Sequence, residues 1–190
     1  NDILVEYAKT SNIGYIRGDE KDVLGRLVQC GDFDSATDIF RSTSESPFPY
    51  FELIDKSWRY HIKNSNDATF LDNIIDGCGF EILSLNALRE SHKDGEDKHR
   101  SELCTLYIRE NKDKFTIEYI DPPSKLSRKD IRLTVDYPED LIVCRSVYNN
   151  FKDMAPRIPL SDVVDYLDEN THLLKLTSPF CEEGYSTMYL

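Results

Sequence analysis

The stretch DVLGRLVQCGDFDSATDIFRSTSESPFPYFELIDKSWRYHI, residues 22–62, decides the fold class. Its apolar residues recur at helical spacing from Val23 to Val28, and again from Leu53 to Ile62. Between them, Ala36 to Arg41 has the length and composition of a short strand, and a polar loop follows it. Helices that flank strands of this length are typical of βαβ units, in which a mostly parallel sheet is covered on both faces. The sequence therefore predicts an α/β fold.

The same alternation continues on both sides of this stretch. Further helices are predicted over Ile3–Ala8, Leu85–Arg89, Glu102–Ile108, Pro138–Phe151 and from Ser161 onward. Further strands are predicted over Gly14–Gly18, Phe115–Ile120 and Ile131–Asp136. We expect one domain over residues 1–175 and an irregular C-terminal tail over residues 176–190.

Residues 67–83 differ from the rest because two extended segments surround the turn signal Asp76-Gly77. They predict an arm-like β hairpin inserted in the α/β domain. The segment Thr69-Phe70-Leu71, together with Ile74-Ile75, is too apolar to stay exposed on such an arm. Contiguous apolar patches on proteins tend to mark interfaces. We therefore expect a homodimer that uses this arm.

The charge balance excludes several classes of partner. The 190 residues contain 23 Lys and Arg against 35 Asp and Glu, which gives a formal net charge of -12. Affinity for nucleic acid depends on basic side chains that neutralise phosphates, and binding to anionic lipid depends on clusters of Lys and Arg. We therefore expect no nucleic-acid and no membrane partner. A local site with a few arginines can still bind a small anion in an acidic protein.

The apolar runs and the cysteines indicate the compartment. Apolar runs such as Leu141–Cys144 fall far short of the roughly 20 residues that a membrane span requires. No signal peptide is visible in the first residues. The five cysteines are scattered and never form a CxxC pair, which suits reduced thiols better than a disulfide frame or a zinc site. These features predict a cytoplasmic protein.

Two carboxylates are predicted to lie where an α/β sheet binds its ligand, beyond the carboxyl ends of the strands. Glu45 lies in the loop after the strand that ends at Arg41, and Asp136 ends its own strand just before an acidic helix start. Two hard oxygen ligands at one crevice suit Mg²⁺, which uses one or two protein carboxylates beside water and substrate phosphate. Alternatively, Asp136 and Asp140 favour the positive end of the helix and Glu45 is solvated. Spacing alone favours this second interpretation.

Several basic side chains are candidates for contacts to an anion. Arg17, Arg26 and Arg41 each border a predicted strand end or helix, and together they would offset the negative field around a nucleotide. Singly, each of them is typical of a surface residue. The run His99-Arg100-Ser101-Glu102 suits a carboxylated or phosphorylated sugar, and the alternative is an exposed helix start that Ser101 caps. Nucleophile-elbow, P-loop and dinucleotide-binding motifs are all absent from the sequence.

Six segments in a fixed order match the pattern of a known family. The most specific is Leu133-Thr134-Val135-Asp136-Tyr137-Pro138-Glu139-Asp140-Leu141, which resembles the pattern R-x-T-V-D-T-P-E-D-L. Residues 17–26 resemble R-G-x-x-x-D-V-L-x-R, and residues 36–48 resemble a strand with its T-x-D-x-P-L loop. Residues 51–55 resemble x-E-L-I-D, residues 79–84 resemble G-x-E-x-x-S, and residues 99–102 resemble H-R-E-H. These patterns are those of the cytidylyltransferase family, which includes the spore coat polysaccharide biosynthesis proteins and the enzymes that attach CMP to acidic sugars. The resemblance runs to about Asp168.

The resemblance implies a Rossmann-like, three-layer α/β/α fold of the nucleotide-diphospho-sugar transferase type. Members of the family join CTP to the hydroxyl of a sugar or sugar acid and release pyrophosphate, with Mg²⁺ between the phosphates and the carboxylates. By resemblance, Asp136 is a catalytic residue and metal ligand, and Glu45 has both roles where the family usually has Asp. The implied substrate contacts are the following: Arg17, Arg26, Arg41, His99, Arg100, Glu102 and Arg132.

The resemblance starts after the family's first strand and the loop rich in Gly, Arg and Lys that holds the base and the triphosphate. We therefore expect residues 1–175 to be an N-terminally incomplete cytidylyltransferase domain that binds CTP weakly. The expected function is transfer of CMP from CTP to a sugar in the synthesis of a surface polysaccharide or glycoconjugate. The alternative is a non-catalytic module of the same family that acts in dimerisation or in sugar or nucleotide binding.

Overall fold

A computed structural model describes residues 2–187 of the chain, with the surroundings of the side chains up to residue 182. Its α-helices are α1 Asp2–Thr10, α2 Val23–Phe33, α3 Ile54–Asn64, α4 Leu85–Asp94, α5 Leu106–Glu110, α6 Pro138–Phe151, α7 Leu160–Glu169 and α8 Thr171–Thr187. Its strands are β1 Asp38–Arg41, β2 Ala68–Phe70, β3 Glu81–Ser84 and β4 Ile117–Tyr119. Within residues 2–187, no helix has the length and apolar character that crossing a membrane requires. All five cysteines are free thiols, and four of them are buried.

These strands form one sheet in the order β1-β3-β2-β4. β2 and β3 pair antiparallel, with Ala68 opposite Leu83 and Phe70 opposite Glu81. β2 and β4 pair parallel, with Ala68 opposite Ile117. A central sheet with helices along the chain confirms the predicted α/β fold class, but the sheet is mixed rather than mostly parallel.

Residues 67–83 are not an arm, because β2 and β3 occupy the two central positions of the sheet. Thr69, Phe70 and Ile75 are completely buried, and Leu71 is 1% exposed. The two segments do pair with each other as a hairpin would, but the pair lies inside the sheet. Strands covered on both faces have nearly continuous apolar runs, and such a run has the same appearance as an apolar arm. The residues that suggested a dimer interface therefore belong to the core.

In the part of the chain that the structure describes, the predicted strand Ile131–Asp136 forms a single parallel bridge, between Asp76 and Arg132. The segment is extended, but its N–H groups bond to two different neighbours. Leu133 N donates to Asp76 O at 2.8 Å, whereas Val135 N donates to Glu45 O at 2.9 Å. The segment therefore joins two parts of the chain instead of adding a regular strand to the sheet.

The predicted irregular tail is a helix, α8, as far as the structure describes it. Leu173, Thr177 and Cys181 are buried at a spacing of four residues, so one face of α8 packs against the protein. That face covers α6 and α7. The sequence prediction failed because Pro179 lies inside α8, and a proline usually ends a helix. Residues 188–190 of the predicted tail lie outside the described residues.

Two shorter predictions are also wrong. Gly14–Gly18 has no regular secondary structure, since most of its residues are exposed and gain nothing from pairing. The helix predicted from Glu102 begins only at Leu106, and Ser101 ends a 3-10 turn over Asp97–Arg100 instead of capping a helix.

The chain divides into two compact units, Asn1–Ile39 with Ser84–Lys114 and Phe40–Leu83 with Phe115–Leu190. In the first unit, α2 and α4 approach closely at Gly31, where a Cβ would lie 2.5 Å from Leu85 Cδ1. The second unit holds one large apolar cluster. Its buried members include Phe48, Leu71, Ile75, Ile82, Ile131, Leu133, Val147, Val164 and Leu167.

Asp22 caps α2 in the first unit and also contacts α4. Its Oδ1 accepts a hydrogen bond from Gly25 N at 2.8 Å, and its Oδ2 accepts one from His92 Nε2 at 2.7 Å. Burial alone would raise the pKa of Asp22, but the hydrogen bonds from His92 and Gly25 outweigh burial and hold that pKa below its usual value of 3.8. The ionised form of Asp22 therefore stabilises the folded protein.

Replacing Asp22 with alanine (Asp22→Ala) is expected to lower the free energy of unfolding by about 1 kcal/mol, since an N-cap is lost. Because the pKa of Asp22 is lower in the folded state, its contribution is complete above the unfolded pKa and is lost as the pH falls through the folded pKa, below about 4. Urea unfolding at about pH 7 and about pH 3 measures this difference. Asp19→Ala, which removes an exposed carboxylate nearby, should change little. An equal loss for Asp22→Ala at both pH values would contradict the prediction.

Candidate functional site

In the second unit, the loop after β1 and the segment before α6 meet through their main chains. Val135 N donates a hydrogen bond to Glu45 O at 2.9 Å, and Thr134 Oγ1 lies 3.5 Å from the same oxygen. Glu45 is partly exposed and Asp136 is exposed. The two carboxylates that the sequence singles out therefore belong to adjoining segments of one unit.

Arg132 lies beside Asp136, and each nitrogen of its guanidinium donates to a different carboxylate. Nη1 donates to Asp76 Oδ2 at 2.6 Å, Nε donates to Asp140 Oδ1 at 3.1 Å, and Nη2 donates to Asp136 Oδ2. We call these four residues the Arg132 cluster. Arg132 itself is only 4% exposed. The structure thus places this predicted substrate contact inside the protein, where its guanidinium is bound to three carboxylates.

Asp140 fixes the turn that leads into α6. It is fully buried, and its Oδ2 accepts hydrogen bonds from the main-chain N–H groups of Asp136 and Tyr137, both at 3.0 Å. Pro138 follows in the first turn of the helix, where a missing N–H costs no hydrogen bond. The ring of Tyr137 stacks on Phe180 of α8, with 4.2 Å between the ring centroids. The alternative interpretation of Asp140, as a carboxylate that serves the helix start, is therefore correct.

Asp76 reaches the Arg132 cluster from the connection between β2 and β3. Its side chain is 1% exposed, and burial raises its pKa, against the opposing effect of Arg132. Asp76 Oδ1 has no hydrogen-bond partner among the residues that the structure describes. The next residue, Gly77, has φ +84°, and a Cβ there would lie 2.6 Å from the main chain of Leu133. Glycine is therefore required where the chain brings Asp76 beside Arg132.

The three arginines predicted to offset a nucleotide's charge differ in their surroundings. Arg41, in the second unit, donates from Nη1 to Glu81 Oε2 at 2.6 Å, and both side chains are largely buried. Arg17, in the first unit, forms an exposed ion pair with Asp2 at 2.9 Å. Arg26, also in the first unit, is partly exposed on α2.

The run from His99 to Glu102 lies in the first unit, and His99 has a structural role there. His99 is 4% exposed, and its Nδ1 accepts a hydrogen bond from Glu96 N at 2.8 Å. The proton is therefore on Nε2, which donates to Glu110 Oε2 at 2.8 Å. Arg100 donates to a main-chain carbonyl at 3.2 Å, and Glu102 is exposed. Both ring nitrogens of His99, which the resemblance predicts to contact a sugar, are therefore engaged within the first unit.

Comparisons with known proteins find two similar sequences and a similar solved structure, although no protein-family model matches the chain. An uncharacterized protein of Methanocaldococcus jannaschii, MJ1063, is 33% identical over 182 residues, which cover 96% of this chain and 74% of that protein. The spore coat polysaccharide biosynthesis protein SpsF of Bacillus subtilis is 26% identical over 171 residues, which cover 90% of this chain and 71% of SpsF. A cytidylyltransferase from Leptospira borgpetersenii serovar Hardjo-bovis superimposes with a TM-score of 0.81 over 91% of this chain and 73% of that enzyme, at 20% identity. The chain belongs to the cytidylyltransferase-like family.

The family and fold class predicted for this cytidylyltransferase-like chain are thus confirmed. The Leptospira enzyme shares its fold, and the two sequence relatives align over most of its length. The six segments matched in order were therefore a sufficient signal for the family, although no single one of them was specific.

The carboxylates of the cytidylyltransferase-like chain fit a divalent cation with few protein ligands. Among the described residues, no group of three or more His, Cys, Asp and Glu side chains is arranged to hold a metal. Mg²⁺ needs no such group, because one or two carboxylates suffice when water and phosphate complete its shell. Half of the Asp136 side chain is exposed, and the Arg132 cluster carries one positive and three negative formal charges. The donor set present suits Mg²⁺.

Sequence reasoning about this cytidylyltransferase-like chain missed Asp76 as part of the site. Asp76 lies 56 residues before Arg132 in the sequence, so no local spacing connects the two. The pair Asp76-Gly77 is visible in the sequence, but its pattern indicates a turn and gives no sign that Asp76 contacts Arg132. Only the fold shows that this turn delivers a carboxylate to Arg132.

Proposed function

We propose that the chain is a cytidylyltransferase that transfers CMP from CTP to a hydroxyl of a sugar or sugar acid. The hydroxyl oxygen forms a bond to the α-phosphorus of CTP, and the bond from that phosphorus to the bridging oxygen breaks. Pyrophosphate leaves, and the hydroxyl proton passes to solvent. The observation that carries this proposal is the hydrogen bond from Val135 N to Glu45 O, which joins two carboxylate-bearing segments in a chain of this family.

In this proposal, Glu45 and Asp136 are the catalytic carboxylates that hold Mg²⁺. When bound, Mg²⁺ neutralises phosphate charge and orients the triphosphate, which is the main requirement of phosphoryl-group transfer. Asp136 offers a half-exposed carboxylate on a fixed main chain. Glu45 replaces the Asp that the family usually has, and its extra methylene adds roughly 1.5 Å of reach.

The class of acceptor is inferred from a relative. SpsF is named for spore coat polysaccharide biosynthesis, which supports a role for this chain in the synthesis of a surface polysaccharide or glycoconjugate. The residues that remain proposed substrate contacts are Arg17, Arg26, Arg41, Arg100 and Glu102.

The homodimer and the cytoplasmic location also remain proposals. The homodimer now rests on the family resemblance alone, because the apolar residues of segment 67–83 are buried in the sheet. The cytoplasmic location is supported by the five free cysteines, since reduced thiols are typical of a reducing compartment.

A pyrophosphate-release assay tests the transfer. The assay uses millimolar CTP, because the resemblance predicts weak nucleotide binding, and a panel of neutral sugars, amino sugars and keto sugar acids. We expect release that requires both Mg²⁺ and a sugar. Glu45→Gln should lower the rate at least roughly tenfold, which corresponds to about 1.4 kcal/mol of lost transition-state stabilisation. Glu52→Gln, in the same unit, is the matched control and should behave as the wild type.

Absence of release with every sugar would overturn the transferase proposal. If the chain then still bound Mn²⁺ or a sugar, the non-catalytic alternative would be correct. The replacement of the family's Asp by Glu45 is the observation that favours this alternative. Release that is unaffected by Glu45→Gln would leave the transfer in place but remove Glu45 from the site.

A further inference from the structure

The Arg132 cluster buries a guanidinium together with two of its three carboxylates. One guanidinium faces three carboxylates, and the side chains of Asp76 and Asp140 are 1% and 0% exposed. Burying ion pairs gives little or no net stability compared with apolar packing, because desolvation offsets the attraction. In addition, Asp76 Oδ1 is buried without a hydrogen-bond partner within residues 2–187, which is a cost to the folded state. The cluster therefore calls for a functional explanation.

The three carboxylates of the Arg132 cluster differ in their exposure to solvent. Asp76 and Asp140 are buried anchors on two separate parts of the chain, the connection after β2 and the first turn of α6. Asp136 is the one partner whose side chain is half exposed. The planar guanidinium donates in fixed directions, so two buried anchors determine where its third nitrogen points. That nitrogen holds Asp136 Oδ2.

Asp136 is therefore held at two points. Its main-chain N–H donates to Asp140 Oδ2 at 3.0 Å, and its carboxylate accepts from Arg132 Nη2. One oxygen of the carboxylate is fixed by this hydrogen bond, while half of the side chain still faces solvent. A carboxylate oriented in this way needs no reorganisation when it binds a cation, because its rotamer is already set.

We propose that Arg132 is a positioning residue that orients the Asp136 carboxylate for a divalent cation, and that Asp76 is the buried anchor that holds Arg132 in place. This inference rests on the proposed function, because it assigns a role toward the same cation. It replaces the sequence-based assignment of Arg132 to the substrate. Arg132 acts through Asp136 and does not itself touch the substrate.

Direct titration with Mn²⁺, followed by the electron paramagnetic resonance signal of the free ion, tests the proposal without any turnover. Arg132→Lys keeps the positive charge but cannot reproduce the planar fork, so a change in affinity reports geometry rather than charge. We expect Arg132→Lys to weaken Mn²⁺ binding roughly 10- to 100-fold, the usual effect of removing a partner of a metal ligand. The matched control is Arg128→Lys, at an arginine that also binds two carboxylates in the same unit, Asp130 and Asp168. The control should bind Mn²⁺ as the wild type does.

A second variant keeps the test decisive if Arg132→Lys fails to fold. Asp76→Asn keeps the shape of the anchor and an oxygen that accepts from Arg132, but it weakens that contact and removes one charge. Asp76→Glu separates charge from placement, because it keeps the charge of the anchor and shifts its carboxylate by one methylene. A loss of Mn²⁺ affinity in both variants therefore comes from a misplaced Asp136. We expect Mn²⁺ binding to be several-fold weaker in Asp76→Asn and in Asp76→Glu.

The outcomes separate the two proposals. If the wild type does not bind Mn²⁺, or binds it equally well as Asp136→Asn, the cation site of the proposed function is wrong and this inference falls with it. If Mn²⁺ binding depends on Asp136 but folded Arg132→Lys and Asp76→Asn bind as the wild type does, only the positioning role is wrong. Equal weakening in Arg132→Lys and Arg128→Lys would also contradict it.

Discussion

Replacing Arg132 with methionine (Arg132→Met) is expected to lower the free energy of unfolding by about 3–5 kcal/mol, the typical cost of breaking a buried ion pair by removing one partner. Methionine fills much of the space but leaves Asp76 and Asp140 facing each other without a positive charge. Neither carboxylate can turn to water, because both side chains are buried. A loss of this size is a large part of the stability of an ordinary domain.

Urea unfolding followed by the fluorescence of Trp58 measures this effect. Trp58 is the single tryptophan of the chain and packs against the core of the second unit, so its signal reports the unit that contains Arg132. Arg128→Met is the matched control, because Arg128 binds carboxylates at a more exposed position. It should cost at most about 1 kcal/mol, as exposed ion pairs do. A cost below about 1 kcal/mol for Arg132→Met would show that the buried carboxylates find other partners or take up protons.

The second large effect is expected at Asp136. Asp136→Asn should lower the rate of pyrophosphate release at least roughly 100-fold, which corresponds to about 2.7 kcal/mol, because the amide loses the charge that a divalent cation requires. The fold should be unaffected, since half of the side chain is exposed and the main-chain bond to Asp140 does not involve it. In this variant, the rate of pyrophosphate release is therefore expected to fall while the stability of the fold stays unchanged.

Pyrophosphate release and the thermal unfolding midpoint of Asp136→Asn are measured on the same preparation. Asp130→Asn provides the control, because it also removes a carboxylate that pairs with an arginine of the second unit. That control should keep both its activity and its midpoint. Full activity in Asp136→Asn would remove Asp136 from the chemistry, and a large fall in its midpoint would assign Asp136 to the fold.

Local patterns were enough to predict most of the helices but not the centre of the sheet. The apolar spacing of α2 and α3 and the Pro138 start of α6 identified these helices, because each signal lies within one turn or two of the element itself. β2 and β3 were placed on an arm, because a strand buried on both faces has no alternation that shows where it lies. α8 was missed because Pro179 is a local signal against a helix, and packing on α6 and α7 outweighs it.

The candidate site shows the same limit. Asp136 and Glu45 were found from their positions after strands and from the family pattern. Arg132 was found too, but its role was not, because the sequence shows a charge and not its burial. Its partner Asp76 lies 56 residues away, and only the fold determines which carboxylate an arginine meets. Burial and pairing of charges are properties of the tertiary structure, and no local spacing contains them.

The stack between Tyr137 and Phe180 links the site to the order in which the chain is made. When the ribosome has added Asp136, it has already synthesised β2, β3 and β4. It has not yet synthesised Phe180, whose ring packs on Tyr137. The sheet is therefore available to a nascent chain well before the site is complete. Tyr137 acquires its stacking partner only after translation has passed residue 180. Synthesis that stops before that point yields a chain with the strands of the sheet and an unsupported tyrosine beside Asp136, the most exposed carboxylate of the Arg132 cluster.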